Sequence, residues 1–173
     1  MSARAQRTGN DQDEALQDVE THQYLTFLLA GEEYAVSILA VQEVRGWEQA
    51  TPMPNTPAFI RGVVNLRGEV VPVVDLRMRF GLPEKKYDDT TVVIVLAVEV
   101  DGRRRTMGIV VDAVSEVYDV EEKALQAAPE RAGAISVEFV EGLATVSDTL
   151  IIVLSVDALV RSIIEQATEK ASA

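Results

Sequence analysis

FIRGVVNLRGEVVPVVDLR, residues 59–77, is the stretch from which the rest of the chain can be read. Two β-branched, apolar runs, 59–66 and 69–74, flank Arg67-Gly68, which is the pattern of a hairpin with a tight turn. Gly68 takes positive φ without steric penalty, so the turn displays Arg67 at its tip. Past the second strand, Asp75 stands where it can cap one helical turn over residues 75–80. Gly81 and Pro83 then end that turn.

The same pattern returns further along. At a shift of 80, Phe59-Ile60-Arg61-Gly62-Val63 lies over Phe139-Val140-Glu141-Gly142-Leu143, Val70-Val71 over Leu150-Ile151, and Val73-Val74 over Val153-Leu154. Asp75 falls on Ser155, so both copies pass from strand to capped helix at one point. At a shift of 73, Ala40-Val41-Gln42-Glu43-Val44 lies over Ala113-Val114-Ser115-Glu116-Val117. The difference between the two shifts fits an insertion in the loop at 121–134. Two blocks in the same order indicate an internal duplication. Each copy offers about five short strands, enough for a small barrel and too few for a sandwich.

Composition agrees with that reading. The 173 residues contain 26 Val and 9 Ile, and only 5% aromatics. Stiff β-branched side chains suit pleated sheets, so a mostly β protein is expected. Further strands are predicted from residue 22, at 33–37, 90–100, 104–111, 113–120, 135–146 and 150–154, with an apolar stretch at 38–45. Val156, Leu159, Val160, Ile163, Ile164 and Ala167 follow helical spacing behind Ser155 as N-cap, which gives an amphipathic C-terminal helix. The predicted organisation is a flexible tail over 1–21, a first barrel subdomain over 22–86, a second over 87–155, and the helix with its tail over 156–173.

Charge and residue inventory exclude several functions. Net charge is −12, which opposes general affinity for nucleic acid or anionic membranes. No cysteine rules out disulfides and thiolate sites, and one histidine rules out a two-His metal site. No stretch has 18 uninterrupted apolar residues and no apolar signal core leads the chain, so a cytoplasmic protein without membrane insertion is expected. His22 has no nucleophile near it in sequence, and Asp88-Asp89 and Glu121-Glu122 read as solvated loop carboxylates. No glycine spacing resembles a phosphate loop. Neither catalysis, cofactor nor metal is expected, which leaves binding.

Three features suggest a binding surface. Arg67 at its turn, with Arg61, Arg77 and Arg79 near in sequence, forms a basic patch on an acidic chain, suited to pairing with a partner's carboxylates. The run Ile38-Leu39-Ala40-Val41-Gln42-Glu43-Val44 is more apolar than a half-exposed strand needs, so part of it can line a groove. Arg103-Arg104-Arg105 follows the Asp101-Gly102 turn and reads as a solvated tip.

Residues 59–77 strongly resemble the signature of the CheW family of chemotaxis coupling proteins. Glu33-Tyr34-Ala35-Val36, Val41-Gln42-Glu43-Val44-Arg45 and Asn55-Thr56-Pro57 are similar to the family upstream. Thr91-Val92-Val93-Ile94-Val95 and residues 108–117 are similar downstream. The resemblance implies an all-β fold of two five-stranded SH3-like barrels packed around a shared apolar layer. It implies a non-catalytic adaptor that links the cytoplasmic tips of methyl-accepting chemoreceptors to the regulatory domain of the histidine kinase CheA, within membrane-associated arrays. A paralogue serving a non-flagellar chemosensory pathway is the alternative. Carried over by position, the receptor-facing residues are Val41, Glu43, Gly62 and Arg67, with Val114 and Val117 lining a groove between barrels. The loop at 126–131 corresponds to a kinase-binding loop, where relatives tend to carry an arginine first and an aromatic last. Here Gln126 and Arg131 occupy those positions, so the usual form of that contact is not carried over.

Overall fold

In the computed structural model, which describes residues 20–129, 131–132 and 135–172, most of the β-branched runs are strands. The chain runs β1 (Thr21–Leu29), β2 (Glu32–Ser37), β3 (Val41–Gly46), β4 (Ile60–Leu66), β5 (Glu69–Asp75) and a short helix α1 (Leu76–Arg79). It continues through β6 (Val92–Val100), β7 (Arg103–Val111), β8 (Ala113–Glu121), β9 (Arg131–Ala132), β10 (Ile135–Ser136), β11 (Val140–Val146), β12 (Thr149–Leu154) and α2 (Val156–Ser172). Of the predicted tail, residues 1–19 lie outside the described residues.

Two predicted runs are broken. Residues 38–45 divide into a 3-10 turn at Ile38–Ala40 and β3, because the Ser37 hydroxyl accepts the Leu39 N–H and turns the chain. Residues 135–146 divide into β10, a 3-10 turn at Val137–Phe139 and β11, a bend that buries Phe139.

Four hairpins close with two residues at positive φ, the type I′ geometry that matches strand twist. They are Ala30-Gly31, Arg67-Gly68, Asp101-Gly102 and Ser147-Asp148. Arg67 therefore shares the left-handed conformation (φ 52°) with Gly68 (φ 87°), and the Asn65 side-chain oxygen accepts the Gly68 N–H at 2.9 Å. Both predicted caps form. Asp75 Oδ1 accepts the Met78 N–H and Ser155 Oγ accepts the Ala158 N–H.

The strands assemble into two five-stranded sheets, β11-β12-β2-β1-β8 and β3-β6-β7-β5-β4, with a two-stranded β9-β10 pair beside them. This overturns the division at 86/87. The β1–β2 hairpin of the first half completes the sheet of the second half, and the β6–β7 hairpin completes the sheet of the first. The insertions are equivalent under the repeat, since β2 pairs in parallel with β12 at Ala35↔Val153 and β7 with β5 at Gly108↔Val73. Each sheet thus needs both halves of the chain.

Alternation along each strand distributes the apolar side chains. On β6, Val93 and Val95 enter a cluster with Val71, Val73 and Val110 inside their own sheet, while Ile94 and Leu96 face a layer common to both sheets. On β12, Ile151 and Val153 join Tyr24 and Ala35 inside the other sheet, while Ile152 and Leu154 face the common layer. The α2 residues Val156, Leu159, Val160 and Ile163 are buried in that layer, so the helix lies over it as its spacing predicted.

Candidate interaction surface

Gly62 sits at a β-bulge where β4 passes under the loop that follows β3. Its φ is 143°, and a Cβ there would lie 2.2 Å from the Thr51 carbonyl oxygen. The close approach lets Thr51 and Val63 exchange two backbone hydrogen bonds of 2.9 Å. Gly62 is buried. It sets the path of the Thr51 loop over β4.

Arg67 projects from its turn with a side chain 75% exposed, and its Nη2 donates to Glu43 Oε2 at 2.8 Å. Glu43 belongs to β3 and Arg67 to the end of β4, opposite edges of one sheet. The pair therefore links the two edges of that sheet, an arrangement compatible with a small barrel. Arg45 approaches the second Glu43 oxygen at 3.6 Å. This surface couples one acid to two arginines around a displayed turn.

Val41 and Val114 are half-buried and pack against the common layer, at the starts of the edge strands β3 and β8. Val117 is exposed on β8, and so is Val44 on β3. Val44 belongs to the apolar run 38–44 from which a groove is expected but is not among the residues carried over from the family, although the shift of 73 that relates Val41 to Val114 also relates Val44 to Val117. Gln126 is exposed and exchanges backbone hydrogen bonds of 2.8 Å with Leu143, as Thr51 does with Val63 in the first copy. Arg131 is placed by its backbone in β9 opposite Ser136, and its side chain lies outside the described residues.

The predicted basic patch does not form as a whole. Arg77 makes a bidentate pair with Asp112, with two bonds of 2.7 Å between side chains each 14% exposed, and donates a third to Pro83 O. Burial alone would raise the Asp112 pKa, but the Arg77 bonds and the Ala30 N–H outweigh it and hold the carboxyl below its ordinary value. Arg79 is sandwiched between Phe59 and Phe139, with its guanidinium carbon 5.6 and 4.9 Å from the ring centroids, and donates to Ser162 on α2. Burial lowers its pKa. Only Arg61 and Arg67 of the four are exposed, because α1 turns Arg77 and Arg79 inward toward internal partners. Arg103, Arg104 and Arg105 are exposed as predicted.

His22 lies with Glu20 and Glu122 in an exposed group, where the pKa of Glu122 is raised because its protonated carboxyl donates a hydrogen bond to the Glu20 side chain and the two charges repel. No helix among the described residues is long and apolar enough to cross a membrane.

The model of the CheW-like domain family matches residues 23–163. The chemotaxis protein CheW of Klebsiella aerogenes is 42% identical over 140 residues, which are 81% of this chain and 82% of that protein. The probable chemotaxis protein CheW of Rhizobium etli is 36% identical over 135 residues, 78% of this chain and 84% of its own length. The crystal structure of the scaffolding protein TtCheW from Thermoanaerobacter tengcongensis matches with a TM-score of 0.72 at 35% identity. The match covers 81% of this chain and 88% of that one.

Proposed function

The chain belongs to the CheW-like family and is a non-catalytic scaffold of chemotaxis; from that premise we propose that it couples the cytoplasmic tips of methyl-accepting chemoreceptors to the regulatory domain of the histidine kinase CheA. The observation that carries the reading is the displayed Arg67, paired with Glu43 between the two edges of one sheet and exposed to a partner. In this reading the receptor's helical tip lies along the edge strands, with Val41, Val44, Val114 and Val117 offering apolar contact and the Arg67–Glu43 pair fixing register. Gly62 contributes by holding the Thr51 loop against β4. The loop at 126–131, where Gln126 and Arg131 replace the residues usual in relatives, does not make its kinase contact in the usual form. The protein works in the cytoplasm and is recruited to membrane-associated arrays, where many weak contacts add to firm assembly.

Co-sedimentation with receptor-bearing membranes, with and without CheA, tests the proposal while kinase autophosphorylation is followed. Joint pelleting with raised kinase activity is expected. A folded protein that never pellets with receptors would refute it.

A further inference from the structure

A cavity of about 480 Å³ opens at the end of β4 away from the Arg67 turn, lined by Arg61, Asp75, Met78, Glu84, Lys85, Lys86 and Tyr87. Its charge runs against the rest of the molecule. The chain has only four lysines and a net charge of −12, yet two of those lysines stand together here beside an arginine. Among the described residues, neither Arg61 nor Lys86 has a carboxylate within ion-pair distance, and Lys85 reaches Asp88 only at 3.7 Å. Arg61 instead lies 5.8 Å above the Tyr87 ring and beside Met78 Sδ.

The acid at the base of this cavity cannot satisfy those cations. Asp75 is buried, one of its oxygens caps α1 through the Met78 N–H, and the other accepts the Tyr87 hydroxyl. Both oxygens are committed to internal donors. Glu84 is exposed at the rim and Asp88 takes Lys85, which leaves Arg61 and Lys86 as the cations of the cavity without an ion-pair partner among the described residues. Tyr87 itself packs edge-on against Trp47, with ring centroids 4.5 Å apart, so the wall is partly apolar. An incoming carboxylate would meet guanidinium and ammonium donors beside Met78 and an aromatic ring.

We propose that this cavity is a docking site for an acidic side chain of a partner protein, an aspartate or glutamate within an acidic segment that Arg61, Lys85 and Lys86 hold over Met78 and Tyr87. The Met78 and Tyr87 part of the lining suits a carboxylate carried on an aliphatic stem better than a polyphosphate, which brings no apolar surface to it. The proposal stands on the cavity and not on the Arg67 surface, so the two can fail separately.

Trp47 is the chain's single tryptophan and touches Tyr87, so its fluorescence reports on the site. The full-length protein is titrated with a hexaglutamate peptide, and in parallel with tripolyphosphate, at physiological salt. A saturable Trp47 response to hexaglutamate is expected. Lys85→Glu with Lys86→Glu should weaken it at least tenfold, and Arg61→Gln should weaken it severalfold. Lys123→Glu, an exposed lysine on another loop, should change it less than twofold. Circular dichroism confirms that each variant is folded. No saturable response, equal weakening by Lys123→Glu, or binding of tripolyphosphate in preference to the peptide would each overturn the assignment, the last in favour of a phosphate site.

Discussion

Gly62 and Gly142 occupy equivalent bulges of the two copies, and the structure predicts that they tolerate alanine very differently. A Cβ on Gly62 would sit 2.2 Å from Thr51 O, 2.6 Å from Thr51 C and 3.1 Å from the Ala50 Cβ, on a backbone at φ 143°. A Cβ on Gly142 would meet Gln126 O at 3.2 Å and Leu125 Cβ at 3.3 Å, with no positive φ. Relief at Gly142 asks for a few tenths of an ångström. Relief at Gly62 asks the Thr51 carbonyl to retreat by about an ångström, which breaks both hydrogen bonds of 2.9 Å to Val63. Two such bonds contribute about 1 kcal/mol each. Holding alanine in that backbone region adds about 1–3 kcal/mol. Gly62→Ala should therefore cost roughly 3–5 kcal/mol, a fall in Tm of roughly 6–20 °C at this chain length. Gly142→Ala should stay within about 1 kcal/mol, since reduced freedom of the unfolded chain offsets much of its crowding. Urea unfolding of both variants measures the contrast. Equal losses, or a Gly62→Ala variant as stable as the parent, would refute the assignment of Gly62 as a backbone pivot.

Three further outcomes are expected. Arg67→Glu should reduce receptor or kinase association while shifting stability by no more than about 1 kcal/mol, because its ion pair is exposed; unchanged binding would remove Arg67 from the surface. Asp112→Asn should lower stability at pH 7 by about 2 kcal/mol. Because the folded Asp112 pKa is depressed, its stabilisation is present above the unfolded value of about 3.9 and is lost as pH falls through the folded one. The gap between parent and variant in urea unfolding should then narrow progressively as pH falls below about 4, and a gap that acid leaves unchanged counts against the pair. Fragments 20–86 and 87–172 should each lack a cooperative transition and regain it when mixed, since each supplies a hairpin to the other's sheet; independent folding of either would contradict that topology.

What the sequence determined by itself is local. Turns at Arg67-Gly68 and Asp101-Gly102, caps at Asp75 and Ser155, the buried face of α2 and the duplication are all set by φ preferences, side-chain reach and periodicity within a few residues. The prominence of Glu43 and Arg67 was legible too, through the resemblance of residues 41–45 and 59–77 to a known family. Tertiary structure decided everything that depends on which segment meets which. The two hairpins β1–β2 and β6–β7 carry the same alternation of apolar residues, so nothing in either says that it completes the other copy's sheet. Arg77 and Arg79 look like Arg61 and Arg67 along the chain, yet Asp112, 35 residues beyond Arg77, takes one inward and the Phe59–Phe139 pair takes the other. Gly62 and Gly142 align as equals, and only the distance to the neighbouring carbonyl, 2.2 Å in one and 3.2 Å in the other, separates them. Local preferences fix the elements because each residue carries them alone, whereas pairing, burial and charge compensation belong to residues far apart in the chain and exist only once it has folded.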